Sequence, residues 1–173
     1  MSLDKEIIKE FLDESKTLVG ELVVLLENIE GDFSKVGLLA DYGNGVDRIM
    51  GGAKSLALLA PPDHALHMIS DYAALCKAVG YKASQINNNE QFFEICVGLL
   101  LDATETLVQL LENIDKDSKT LKKSLPQAFL DRLSWASDQF SAQVSATVLT
   151  GVAAGAKSTS NPEINDLIKK LGL

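Results

Sequence analysis

The stretch GVDRIMGGAKSLALLAPPD, residues 45–63, places an acid, a glycine and a lysine on one helical stripe. Asp47, Gly51 and Lys54 fall at i, i+4 and i+7, beside an apolar stripe of Val46, Ile49, Met50, Ala53, Leu56 and Ala57. Gly51 and Gly52 expose backbone in mid-helix at about 1 kcal/mol each relative to alanine, a cost tolerated where another body approaches closely. Just beyond, DHALHMISDY sets His64 and His67 three residues apart, near enough to Asp63 and Asp71 to suggest a metal pair. Two histidines at that spacing are more often surface residues at a helix start, and no metal centre is expected. Carboxylate and amide groups supply a third chemistry, because a carboxamide donates to an anionic oxygen and accepts from water while carrying no charge. SDQFSAQV offers Asp138 and Gln143, and ETLVQ offers Glu105 and Gln109 four apart.

Nearly every element that would position these residues repeats with a period near 3.6, and no segment alternates long enough to make a strand. Five long helices are expected: Asp4 to Ile29, Ser34 to Ala60, one from Asp63 closed by Gly80, Gln91 to Ile114, and one opened by Pro126. Gly31 should cap the first. The second should be loosened at DYGNG, where glycine is costly, and DKDSKTLKKS should be a charged connector. ELVVLLENIEGD echoes TLVQLLENIDKD, but the likeness stops at those helix ends and implies no repeat architecture. The expected class is therefore all-α: an antiparallel helical bundle over residues 1–150, a flexible linker at 151–162 and a short amphipathic helix at 163–173. The linker reading rests on GVAAGAKSTS, which is rich in small and polar residues. In the tail, Ile164, Leu167, Ile168 and Leu171 form one apolar face, Asn161 would cap it, and Pro162 would occupy the first turn. So short a helix needs a surface, either its own bundle or another protein.

Composition narrows the function classes. A net charge of −8 disfavours nucleic acid and anionic membrane surfaces, which demand clustered cations. Apolar runs such as CVGLLL fall far short of the roughly 20 residues that span a bilayer. MSLDKEIIKE lacks the apolar core of a signal peptide, and Cys76 and Cys96 sit in apolar helical patterns, so a cytoplasmic protein with reduced thiols is expected.

Residues 1–114 resemble the histidine phosphotransfer (Hpt) domain, a four-helix bundle that exchanges phosphate with response-regulator receiver domains. The likeness rests on EFLDESKTLVGELVVLLENIEGD as a first helix and VDRIMGGAKSLALL as a second. On that match Asp47 stands where the phospho-accepting histidine would be, Met50 where a lysine would be, and Gly51 where the glycine is. The resemblance implies a receiver-facing surface at Asp47, Gly51 and Lys54 without phosphotransfer at Asp47. EINDLIKKLGL is similar to the receiver-docking peptide of CheZ-type chemotaxis phosphatases through Ile164, Asp166, Leu167, Ile168, Leu171 and Leu173, although Lys169 and Lys170 depart from its acidity. That family uses a helix-borne Asp and Gln four apart, the Gln orienting a water. Here Gln143 matches the glutamine, Gln139 holds the acid's place, and Asp138 lies one residue early, rotated by about 100°.

Together these imply a protein of two-component or chemotaxis signalling that binds a CheY-like receiver, either as a binding protein only or also promoting its dephosphorylation through Gln143 and Asp138. It would need no cofactor of its own, since Mg²⁺ would be carried by the receiver, and a homodimer is compatible with it. The alternatives are a structural or oligomerising bundle without catalysis, and a phosphotransfer protein using His64 or His67.

Overall fold

The computed structural model describes residues 3–149 and 160–171, and the side chains of residues 3–140 and 164–171. The described residues are all-helical and contain no named strand. Seven α-helices follow in order: α1 Lys5–Ile29, α2 Leu39–Ala57, α3 Ala65–Ala83, α4 Glu90–Glu112, α5 Ser118–Ser124, α6 Gln127–Leu149 and α7 Ser160–Lys170, with a 3₁₀ helix Phe33–Leu38 before α2.

Local chemistry sets the helix ends. The Asp4 side chain accepts the Glu6 N–H at 2.9 Å, and Asn89 accepts that of Phe92 at 3.0 Å. Asp117 accepts the Thr120 hydroxyl at 2.7 Å and the Thr120 N–H at 2.8 Å, which together pull its carboxyl below the usual range. After α1 the chain reverses at Gly31, whose φ of +79° suits a residue without Cβ.

Cross-helix pairs fix directions. Arg48 reaches Glu14 at 3.2 Å and Leu22 packs on Gly45, so α1 and α2 are antiparallel. Asn44 bonds Tyr81 while Asp47 bonds Lys77, which sets α2 against α3 in the same sense. The Gly31 N–H donates to Glu94 at 3.3 Å, placing the end of α1 beside the start of α4. α6 runs antiparallel to α4, with Arg132 on Asp102 at 2.9 Å and the Phe140 ring 5.1 Å from Phe92. The core lies between these helices, with Leu26, Ile69, Tyr72 and Phe93 fully buried. Three core hydroxyls are satisfied: Thr104 donates to the Leu100 carbonyl at 2.6 Å and takes the Tyr42 proton at 2.9 Å, while Tyr72 donates to the Ala103 carbonyl at 2.8 Å. The buried Ser137 hydroxyl has no partner among the described residues.

Several expectations change. α2 is unbroken through DYGNG, because Gly43 and Gly45 lie against Tyr81 and Leu22, where a Cβ would come within 2.7 Å and 2.6 Å. Helix packing outweighs the propensity penalty there. Gly80 does not close α3, which continues to Ala83; it admits the Tyr42 ring instead. The charged connector holds α5, a helix with one buried anchor, Leu121. The tail helix starts at Ser160 rather than 163, so residues 160–162 leave the expected linker, whose remaining residues 151–159 lie outside the described residues.

α7 packs on α3 and α6 of its own chain. Ile164 and Leu171 are fully buried, Ile168 nearly so, and Leu167 partly, while Asp166, Lys169 and Lys170 face outward. Leu173 lies outside the described residues. Among the described residues no helix is long and apolar enough to cross a membrane.

The two cysteines are buried, and burial pushes both thiols up to about 12. At pH 8 their thiolate fraction is then about one in 10⁴, against roughly a quarter for a free cysteine. Iodoacetamide should therefore leave both unmodified in the native chain and label both in urea, which intact mass reads directly.

Candidate functional site

α2 presents Asp47, Gly51 and Lys54 on a stripe beside its buried residues, with Asp47 and Gly51 half-buried and Lys54 exposed. Asp47 is half-buried, and its Oδ1 accepts from the Lys77 ammonium of α3 at 2.7 Å. Both side chains of that pair retain solvent contact, so the bond positions the carboxylate while contributing little stability. Sequence reading missed Lys77, since a partner thirty residues away on an antiparallel helix leaves no periodic signal.

One turn beyond Asp47, Met50 borders a hollow of about 140 Å³ between α2 and α3. Ala74, Lys77, Ala78, Tyr81, Lys82 and Gln85 of α3 and the segment after it complete the lining. Engineered cavities of roughly 150 Å³ hold one benzene ring, so the hollow has room for a single large side chain. Its two charged lining groups are both cations, in a chain of net charge −8.

Gly51 faces open space, with nothing within 4 Å of where a Cβ would stand. Gly43, Gly45, Gly52 and Gly80 each receive a neighbouring side chain, Phe11 at 3.1 Å in the case of Gly52. Gly20, Gly31, Gly37 and Gly98 are likewise open, and neither they nor Gly51 line the hollow. Of the two glycines read as a notch, Gly52 is thus filled within the chain and Gly51 is not.

The remaining candidates lie apart. His64 caps α3, its Nδ1 accepting the Leu66 N–H at 3.2 Å, and His67 Nε2 donates to the Pro61 carbonyl at 3.1 Å. The Ser118 hydroxyl on the His64 carbonyl, at 2.8 Å, ties this corner to α5. Both histidines therefore have helix-end duties, and among the described residues no group of three or more His, Cys, Asp or Glu could hold a metal. Asp138 is exposed on α6, and no ion pair among the described residues links it to the α2 stripe. Gln143 falls within α6, but its side chain lies outside the described residues. Glu105 and Gln109 are both exposed on α4.

The arrangement on α2 and α3 can hold an anionic or acid-rich surface and admit one apolar side chain. Comparison with family models, with curated proteins and with solved structures finds no match for this chain.

Proposed function

We propose that the chain binds a response-regulator receiver domain in a two-component or chemotaxis-like pathway, through the α2 surface around Asp47, Gly51 and Lys54. In this reading α1–α4 act as an Hpt-like four-helix core that lacks the phospho-accepting histidine. The observation that carries it is Gly51. A mid-helix glycine costs about 1 kcal/mol, no intramolecular neighbour uses the space it leaves, and it follows Met50 in sequence. A close-approaching partner accounts for that cost. Dephosphorylation of the receiver's aspartyl phosphate would require little beyond a positioned water, and Gln143, with Asp138 one residue off the family spacing, is the group to supply it. Mg²⁺ would enter with the receiver.

A second reading, a structural or oligomerising bundle, is favoured by α7, whose apolar face rests on the chain's own α3 and α6. In that case the CheZ-like tail has a cis partner and needs no receiver.

Titration against phosphorylated and unphosphorylated receivers from the same genome separates the two. Gly51→Arg should weaken binding at least about tenfold, or 1.4 kcal/mol, by blocking close approach, with the melting temperature unchanged or raised. Absence of binding by the wild-type chain to every receiver would overturn the receiver reading and leave the structural one.

A further inference from the structure

Among the described residues, one buried side-chain polar atom lacks a hydrogen-bond partner, the Ser137 hydroxyl on α6, and the residue is fully buried. α6 meets α4 through Arg132, which bonds Asp102, and through Trp135, whose ring stands 6.0 Å from that of Phe92. Ser137 follows Trp135 by two residues, about 200° around the helix, so it lies on the opposite flank of α6. The other helices packed on α6 are α3 and α7, and α7 packs on both of its neighbours. Ser137 therefore belongs to the seam that α7 closes with Ile164, Ile168 and Leu171.

We propose that the α3–α6 groove under α7 is a docking site for an amphipathic helix of a partner protein, with α7 as its autoinhibitory occupant. The partner helix carries apolar residues at the i, i+4 and i+7 positions that Ile164, Ile168 and Leu171 occupy. It also carries one hydroxyl or carboxamide side chain that pairs with Ser137. This site is separate from the α2 surface and does not depend on a receiver binding there.

The resident helix shows the shape the groove accepts, and Ser137 shows what that helix lacks. The side chains that α7 buries, Ile164, Ile168 and Leu171, have no polar atom to give the hydroxyl. Elsewhere the core pairs such groups, as Tyr42, Tyr72 and Thr104 do. Undocking α7 lets water reach Ser137, so the orphan hydroxyl weakens the cis contact without touching the packing of α1–α4. That weakness matters because a tethered helix competes at a roughly millimolar effective concentration, which a perfect cis fit would leave no partner able to overcome. A partner that forms the missing hydrogen bond gains in the groove what α7 forgoes, and can displace it.

The test uses the full chain and peptides of residues 160–173. Ser137→Ala removes the orphan hydroxyl and should slow amide exchange at 164–171 about tenfold, beyond any change in α1–α4. Ser134→Ala, half-buried on the same helix, makes the same gain in helix propensity and should leave that exchange within about twofold. The Ile164→Asp chain has its groove open, so a fluorescein-labelled wild-type peptide should bind it at least about tenfold more tightly than it binds the wild-type chain. Peptide variants Ile164→Asn, Leu167→Asn, Ile168→Asn and Leu171→Asn then supply a carboxamide along the buried face in turn. One of them should lose about tenfold in affinity when Ser137→Ala is added to the open chain, while the wild-type peptide binds more tightly on the same change. Unaltered exchange at 164–171 in Ser137→Ala would place Ser137 outside the α7 seam and overturn the proposal. So would four Asn peptides all insensitive to Ser137→Ala, or global unfolding of the Ile164→Asp chain. A wild-type dimer seen by light scattering, and dissolved by Ile164→Asp, would assign the groove to a second copy and overturn the partner assignment.

Discussion

Replacing Gly80 by valine is expected to destabilise the chain by about 3 kcal/mol, a fall in Tm of roughly 6–12 °C at this chain length. A Cβ at position 80 would stand 2.8 Å from Tyr42 Cδ1 and 3.5 Å from the Gly43 backbone nitrogen. Neither neighbour has room to yield. Tyr42 is fully buried, and its hydroxyl is held by Thr104 at 2.9 Å. Sliding the ring would break that bond and strand a buried hydroxyl, itself worth about 1–3 kcal/mol. Moving the helices apart would instead open the α2–α3 seam along its length. Two companion substitutions isolate the cause. Gly43→Ala should cost less, because the Tyr81 ring it would strike at 2.7 Å is only half-buried and can swing outward. Gly51→Ala should stabilise by up to about 1 kcal/mol, since its Cβ would meet nothing and the helix gains a better former. Chemical denaturation followed by circular dichroism gives all three. A valine at 80 costing under 1 kcal/mol would mean that α2 and α3 do not approach this closely.

Those glycines also mark the limit of what a single sequence reveals. The length and phase of α1 were readable because its apolar residues repeat on one face and Gly31 stops it, and the start of α4 because Asn89 caps it. Helix propensity, however, sums terms local to one segment. DYGNG reads as a weak point on that sum, and nothing within it states that Tyr81 and Leu22 will occupy the space the glycines leave. Gly80 fails as a stop signal for the same reason. α5 escaped notice because six charged and polar residues with one buried leucine carry no usable period. At the site, the stripe of Asp47, Gly51 and Lys54 follows from 3.6-residue geometry alone, whereas Lys77 enters only once α3 is laid antiparallel beside α2. A pattern along one helix specifies which face is buried, not which side chains arrive from the next.

Ile164→Asp should release α7 while α1–α4 stay folded. The docked face buries Ile164, Ile168 and Leu171, each contributing about 1.5–3 kcal/mol before costs. The ordering of an 11-residue helix opposes that gain. An unpaired carboxylate in place of a fully buried isoleucine costs several kcal/mol, so detachment is the cheaper response for the chain. Amide exchange at 164–171 should accelerate at least about a hundredfold, with protection in α1–α4 retained. Asp166→Ala, on the exposed side of α7, should leave exchange unchanged. Global unfolding on Ile164→Asp would instead make α7 part of the cooperative core. The same variant bears on function, because a tail that captures a receiver through Ile164 and Ile168 would lose affinity with this change. A tail whose apolar face serves α3 and α6 would not, and receiver binding through the α2 surface should then persist at wild-type affinity. Loss of that binding in a chain whose α1–α4 remain protected would return the tail to the receiver interface and make its cis contact a competitor of the trans one.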